Sequence, residues 1–324
     1  MSNFSDPLLA SIASRLDDAD PGIRRVAVMD LVDSPEAEAV ELLIRALSDT
    51  DETVRMEAAK VIDEFEPRDI MESLVQALTA DDQNVKNAAA SALADLKDSA
   101  AAPALIEALD QDDPFVLSSI LRSLKQFRIR EARAPALKLL AHVDAGVRRE
   151  AVSVLGYLQD AENLPQLIST AARDTDTEVR RTAIGALVYA DSTQVANALM
   201  GGLNDAHWQV RVEAAKGLGR LHVEDAIESL SVATCDAMWQ VQEKAAEALG
   251  KIKSPRGIPA LGACIQNPIS NLRKAVVAAI GEIAHADGIP AIDIALNDND
   301  PDVRKLARWA QDQIEASISS AAGG

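Results

Sequence analysis

The chain has 324 residues, of which 51 are acidic and 32 basic, giving a formal net charge of −19 with only 3% aromatic side chains. A field of that sign repels phosphate backbones, so nucleic acid is an unsuitable partner. No run approaches the roughly 20 apolar residues of a membrane helix, and the opening MSNFSDPLL lacks the basic and apolar regions of a secretory leader, so the expectation is a cytoplasmic protein with no membrane partner.

From about residue 6 to residue 316 the chain repeats itself. Taking the apolar residue of each copy's best-kept segment as an anchor gives Ile23, Val54, Val85, Val116, Val147, Val179, Val210, Val241, Leu272 and Val303, spaced 31 residues apart with a single spacing of 32 between Val147 and Val179. A unit this short cannot bury its apolar face alone and must stack on its neighbours, so the period implies a solenoid. The expected architecture is all-α: one body of about ten helical hairpins over residues 1–316, followed by a flexible tail over 317–324.

Each copy has the same internal grammar. Leucine or isoleucine stands seven residues before the anchor (Leu16, Leu47, Leu78), on a first helix. Alanine follows the anchor by four (Ala27, Ala58, Ala89, Ala151, Ala183, Ala214, Ala245, Ala307), and leucine or isoleucine by eight (Leu31, Ile62, Leu93). Apolar residues at 0, +4 and +8 line one side of a second helix, and the small middle residue allows close approach of its neighbour. The turn between the helices carries aspartates at −5 (Asp18, Asp49, Asp205) and −3 (Asp20, Asp51, Asp82), suited to capping the second helix. A cation follows the anchor directly in most copies (Arg24, Arg55, Lys86, Arg148, Arg180, Arg211, Arg273, Arg304), and the two charged columns suggest a ladder joining successive turns.

The motif D-x-D-x-x-V-R-x-x-A-A-x-x-L, with proline near the start of the first helix (Pro103, Pro135, Pro165, Pro259, Pro290), resembles the HEAT-like repeat of the phycobilisome-lyase type. The resemblance implies a right-handed, armadillo-like α-solenoid whose second helices line a concave, protein-binding side. It also implies an alternative, a bilin lyase-like or cofactor-handling protein using the same groove.

Departures from the common pattern are where function is expected. In copy four, Leu117 and Ile120 replace the usual arginine and alanine, with Ser118 and Ser119 between them, which suggests a looser stack or a hinge near residue 117. Between Arg122 and Arg149 eight cations, Arg122, Lys125, Arg128, Arg130, Arg133, Lys138, Arg148 and Arg149, face only Glu131 and Asp144. This basic belt, with Arg181 beyond it, would attract an acidic partner. Tyr157 and Tyr189 share position +10, a polar column elsewhere, while Trp208 and Trp239 share position −2 at the start of adjacent second helices. Paired aromatics on a wet edge make protein-binding anchors. Copy eight exchanges its cation for Gln242, and the last copy carries Gln311 where leucine is expected, as a water-facing cap would.

Catalytic signatures are missing. His142, His207, His222 and His285 are scattered, with His142 and His207 about 16–20 Å apart by repeat spacing, too far for one metal ion. No G-x-S-x-G, Walker, Rossmann or C-x-x-C pattern occurs, nor the His-Glu dipeptides of HEAT-like hydroxylases. Cys235 and Cys264 fall at different repeat positions and read as two buried, reduced thiols. The expectation is a non-catalytic scaffold, without cofactor or metal, docking a protein of acidic or mixed apolar character through Arg122, Lys125, Arg149, Tyr157, Arg181, Tyr189, Trp208 and Trp239.

Overall fold

The structure, a computed structural model, describes residues 6–34, 37–65, 67–96 and 99–322. Among them there are no strands. The chain divides into two compact units, Met1–Leu158 and Gln159–Gly324. Each holds five helical hairpins.

In the first unit the hairpins are α1 (Pro7–Arg15) with α2 (Pro21–Met29), α3 (Ala37–Leu47) with α4 (Glu52–Val61), α5 (Pro67–Ala77) with α6 (Gln83–Asp95), α7 (Ala102–Glu107) with α8 (Pro114–Phe127), and α9 (Arg133–Leu139) with α10 (Ala145–Leu158). In the second they are α11 (Leu164–Arg173) with α12 (Thr177–Leu187), α13 (Ser192–Gly202) with α14 (Trp208–Arg220), α15 (Ile227–Ala233) with α16 (Trp239–Ile252), α17 (Ile258–Ala263) with α18 (Ser270–Ile283), and α19 (Ile289–Ala295) with α20 (Pro301–Ala322). Every even-numbered helix begins at position −2 of its copy. Helix α20 runs through residue 316, where the repeats were expected to end, to Ala322, while Gly323 and Gly324 lie outside the described residues.

The turn chemistry explains that regularity. Asp20, Asp51, Asp82, Asp113, Asp176 and Asp300 accept hydrogen bonds from backbone N–H groups in the first turn of the helix that follows. Where aspartate stands at −5 it accepts from the backbone N–H of the residue two further on, as Asp49 does from Asp51 and Asp236 from Met238, both at 2.8 Å. Each such bond satisfies a donor that the helix start would otherwise leave open.

The core is the set of columns read from the period. The alanines at +4 are fully buried, as are Val54, Val116, Val147, Val179, Val210, Val241 and Val303. Burying a valine or leucine contributes about 1.5–3 kcal/mol, so each hairpin is held chiefly by its neighbours. Leu117 and Ile120 are buried too, and α8 continues unbroken past them, so apolar packing takes over where the arginine is missing. The chain divides instead after Leu158. Gln311 is exposed on α20.

Two features of the second unit depend on backbone geometry. A Cβ on Gly219 or Gly250 would stand 2.7 Å from the Cα of Ala248 or Ala279, so glycine at +9 lets α14, α16 and α18 pack backbone against side-chain-free backbone. At +12 the helices end in left-handed residues, His222 at φ 52°, Lys253 at φ 58° and Ala284 at φ 52°, none of them glycine.

Arginine and aspartate join successive hairpins as the two columns suggested. Arg24, Arg180, Arg211 and Arg273 each donate from Nε and Nη2 to the two carboxylate oxygens of the aspartate 25 residues on, Asp49, Asp205, Asp236 and Asp298, at 2.7–2.9 Å. Their Nη1 atoms donate to two carbonyls of their own turn, as Arg211 does to Asp205 and Ala206. Burial pushes the carboxyls of Asp49, Asp205 and Asp236 upward, but hydrogen bonds from the arginine and from the backbone outweigh it and hold all three below the usual range. In Asp298 the bond from Arg273 dominates, in the same direction.

Candidate functional site

In the first unit the basic belt is built around an acid. Helix α8 supplies Arg122 and Lys125, and α10 supplies Arg149 and Glu150. The Glu150 carboxylate lies 3.6 Å from Arg122, 3.6 Å from Lys125 and 3.3 Å from Arg149, and the residue is buried. Three cations around one carboxylate leave positive charge unneutralised, and the Arg122 and Arg149 side chains stay 45% and 42% exposed. Sequence reasoning missed Glu150. The signal was a glutamate at +3 with cations at +6 and +9 of the copy before it.

At the end of α10, Tyr157 is 47% exposed, with the guanidinium of Arg128 5.6 Å from its ring centroid. A cation over an aromatic face is attracted by the ring quadrupole and holds the ring in place without covering it.

The second unit repeats that pairing. Tyr189, 54% exposed just past α12, has the Arg220 guanidinium of α14 at 4.8 Å. Arg181 bonds Glu178 at 2.6 Å one turn earlier on α12, so its charge is compensated locally. Trp208 and Trp239 open α14 and α16, as the spacing placed them. The residues before them, His207 and Met238, make no side-chain cap. Neither indole is fully exposed: Trp208 is half-buried and Trp239 is 37% exposed. The following glutamines, Gln209 and Gln240, each bury an Oε1 atom that has no hydrogen-bond partner.

The thiols differ from expectation. Cys264 is buried and its Sγ donates to the Thr234 carbonyl at 3.7 Å, and burial raises its pKa, whereas Cys235, in the turn after α15, is exposed. Turn residues at that position lie outside the hairpin core. His142 Nδ1 accepts from the backbone N–H of Asp144 and so caps a turn. Among the described residues no three His, Cys, Asp or Glu side chains gather as a metal site requires, and no helix is long and apolar enough to cross a membrane.

The repeat identity follows from sequence comparison. A family model described as HEAT repeats matches residues 9–69, 54–125, 71–156, 133–208, 164–236 and 196–277. The chain belongs to the HEAT-repeat family. Solved structures share the fold. Kap95p, seen with RanGDP, is 14% identical over 94% of this chain and 49% of its own, with a TM-score of 0.60. Kap121p bound to Nup53p is 16% identical over 95% of this chain and 40% of its own, with a TM-score of 0.53. An engineered protein is 22% identical over 96% of this chain and 99% of its own, at 0.48. This chain spans less than half the length of the Kap95p and Kap121p chains. A comparison with curated proteins found no match.

Proposed function

We propose that the protein is a non-catalytic scaffold or assembly factor that binds a protein partner through the exposed arginine–aromatic surfaces of its two units. The observation carrying this reading is the recurrence of one device, an exposed tyrosine held by a cross-helix arginine, at Tyr157 with Arg128 and at Tyr189 with Arg220. Tyrosine presents a large, rigid contact area at small entropic loss and keeps a hydroxyl for hydrogen bonding, which is why it is enriched at interfaces.

Around Tyr157 the residual positive charge of Arg122, Lys125 and Arg149 favours an acidic segment of the partner. In the second unit, Tyr189 just past α12, Arg181 on that helix, and Trp208 and Trp239 at the starts of α14 and α16 favour a mixed apolar one. That Kap121p is seen bound to Nup53p and Ste12p shows this fold holding protein partners in another chain and supports the reading by analogy. The resemblance of the motif supports the phycobilisome-lyase type within the family. No feature of either unit favours a pigment over a polypeptide. The partner would be met in the cytoplasm.

The test is a Tyr157→Ser, Tyr189→Ser, Trp239→Ser variant, which leaves the buried columns and the Arg–Asp rungs intact. It should keep its helical content and lose a co-purifying native partner at least tenfold in affinity. Retention of that partner at wild-type affinity by a folded variant refutes the assignment.

A further inference from the structure

The rung that begins at Arg55 is half made. Like Arg24, Arg180, Arg211 and Arg273, Arg55 donates from Nη1 to two carbonyls of its own turn, to Asp49 at 2.7 Å and Thr50 at 3.0 Å. That anchoring fixes the guanidinium as in the complete rungs, where the Nε–Nη2 edge grips the aspartate 25 residues on. Here the residue 25 on is Ala80, and among the described residues nothing accepts from that edge.

The stack also opens at this place. Helices α2 and α4 pack together, as do α6 and α8, but no comparable packing joins α4 to α6. Between them lies a cavity of about 680 Å³, with Arg55 and Ser48 on one side and Asn84, Asn87, Ser91 and Asp95 on the other. The repeat anchor beside Asn84, Val85, is half-buried where Val54 and Val116 are fully buried. A volume in the range of roughly 300–1,000 Å³ is that of small-molecule sites.

We propose that this cavity is a carboxylate-binding site, in which the ligand's carboxylate takes the position of the missing aspartate on the Nε–Nη2 edge of Arg55. The planar fork matches a carboxylate with two parallel charge-assisted hydrogen bonds, and the chain already makes that pairing at Arg24, Arg180, Arg211 and Arg273. The other lining groups narrow the class. Asp49 is neutralised by Arg24 and is no obstacle to an anion. Among the described residues Asp95 has no such cation, and it disfavours a second negative charge on the ligand. The amide of Asn87, whose Oδ1 already accepts from Gln83, and the Ser91 hydroxyl offer neutral hydrogen-bonding groups. The ligand class is therefore a monocarboxylate with a neutral or cationic remainder, of amino-acid or N-acyl amino-acid type, either free or as an acidic side chain of a peptide.

The full chain can be titrated with N-acetylglycine, with its neutral amide N-acetylglycinamide, and with the tripeptide Ac-Ala-Asp-Ala-NH2, following the side-chain amide resonance of Asn87, which lines the cavity and is present in every variant. N-acetylglycine should shift it saturably with a roughly millimolar midpoint, the scale for so few ligand atoms, and the amide should not. A response to the tripeptide alone assigns the carboxylate to a peptide side chain. Arg55→Gln should abolish the response. Ala80→Asp, which supplies the absent rung carboxylate from the chain itself, should occupy the fork, raise the melting temperature and block both probes. No saturable shift with either carboxylate, or wild-type titration curves in both variants, overturns the proposal.

Discussion

The rung between Arg211 and Asp236 offers a double-mutant cycle that the chain has already sampled. One copy later both halves are exchanged for their uncharged counterparts, Gln242 and Asn267, and Gln242 Nε2 still donates to the Asp236 carbonyl, as Arg211 Nη1 does to its own turn. Copying that exchange gives Arg211→Gln, Asp236→Asn and the double variant. Arg211→Gln removes two charge-assisted bonds of 2.7 and 2.8 Å between side chains only 14% and 13% exposed. Such bonds are worth about 1.5–3 kcal/mol each at burial. Asp236 keeps its 2.8 Å bond from Met238 N and some water, so the loss should be about 2 kcal/mol rather than the sum. Asp236→Asn should lose a similar amount by leaving the guanidinium with carbonyls alone. The double variant should lose about 2 kcal/mol, not 4, a coupling of about 2 kcal/mol. Urea unfolding read by Trp208 and Trp239, which open the helices on either side of this rung, measures it locally in a Trp309→Phe background. Strict additivity of the single losses would show that the pair acts as two independent charges and refute the ladder account.

Four further outcomes follow from the same geometry. Gly250→Ala puts a Cβ 2.7 Å from the Cα of Ala279 and 2.8 Å from Glu282 Oε2, so it should cost about 1–3 kcal/mol by forcing α16 from α18. Gly201→Ala meets nothing within 4 Å and should gain about 0.5–1 kcal/mol in α13, both read by thermal unfolding. Ala284→Gly should stabilise by about 1 kcal/mol despite the added chain entropy, because φ 52° strains a residue with a Cβ; a lower melting temperature would show the strain to be absent. Asp49, Asp205, Asp236 and Asp298 are all held below the usual carboxyl range, so their stabilisation is complete above the unfolded value of about 3.9 and is lost as pH falls below it. The melting-temperature gap between the wild type and the Arg211→Gln, Asp236→Asn variant should therefore hold from pH 7 to 5 and close toward pH 3.

The columns of the repeat were legible because they follow from stacking alone. A period fixes which residues meet, and Ala27 through Ala307 at +4 are buried for the reason their small size suggests. The Arg–Asp rungs were legible as two columns. What was not read is that each arginine at +1 that has a copy after it is followed by aspartate at −5 of that copy except at Arg55, where Ala80 stands, and that Gln242 is matched by Asn267. Glu150 was hidden because two of its partners, Arg122 and Lys125, belong to the previous copy, on a face where the repeat sets no residue type. The left-handed ends at His222, Lys253 and Ala284 gave no signal because none is glycine. Glycine at +9 was visible as a repeated Leu-Gly pair, but only the approach of Ala248 and Ala279 shows what it permits. The division after Leu158 has a trace in the sequence: the one 32-residue spacing, from Val147 to Val179, spans it.

The scaffold reading rests on where a partner makes contact, and hydrogen–deuterium exchange of the isolated chain against its complex with the co-purifying protein addresses that directly. Slowed exchange should appear in α10 around Tyr157 and in α12, α14 and α16 around Tyr189 and Trp239. Protection confined to the first helices of the hairpins, α9, α11, α13 and α15, would contradict the account.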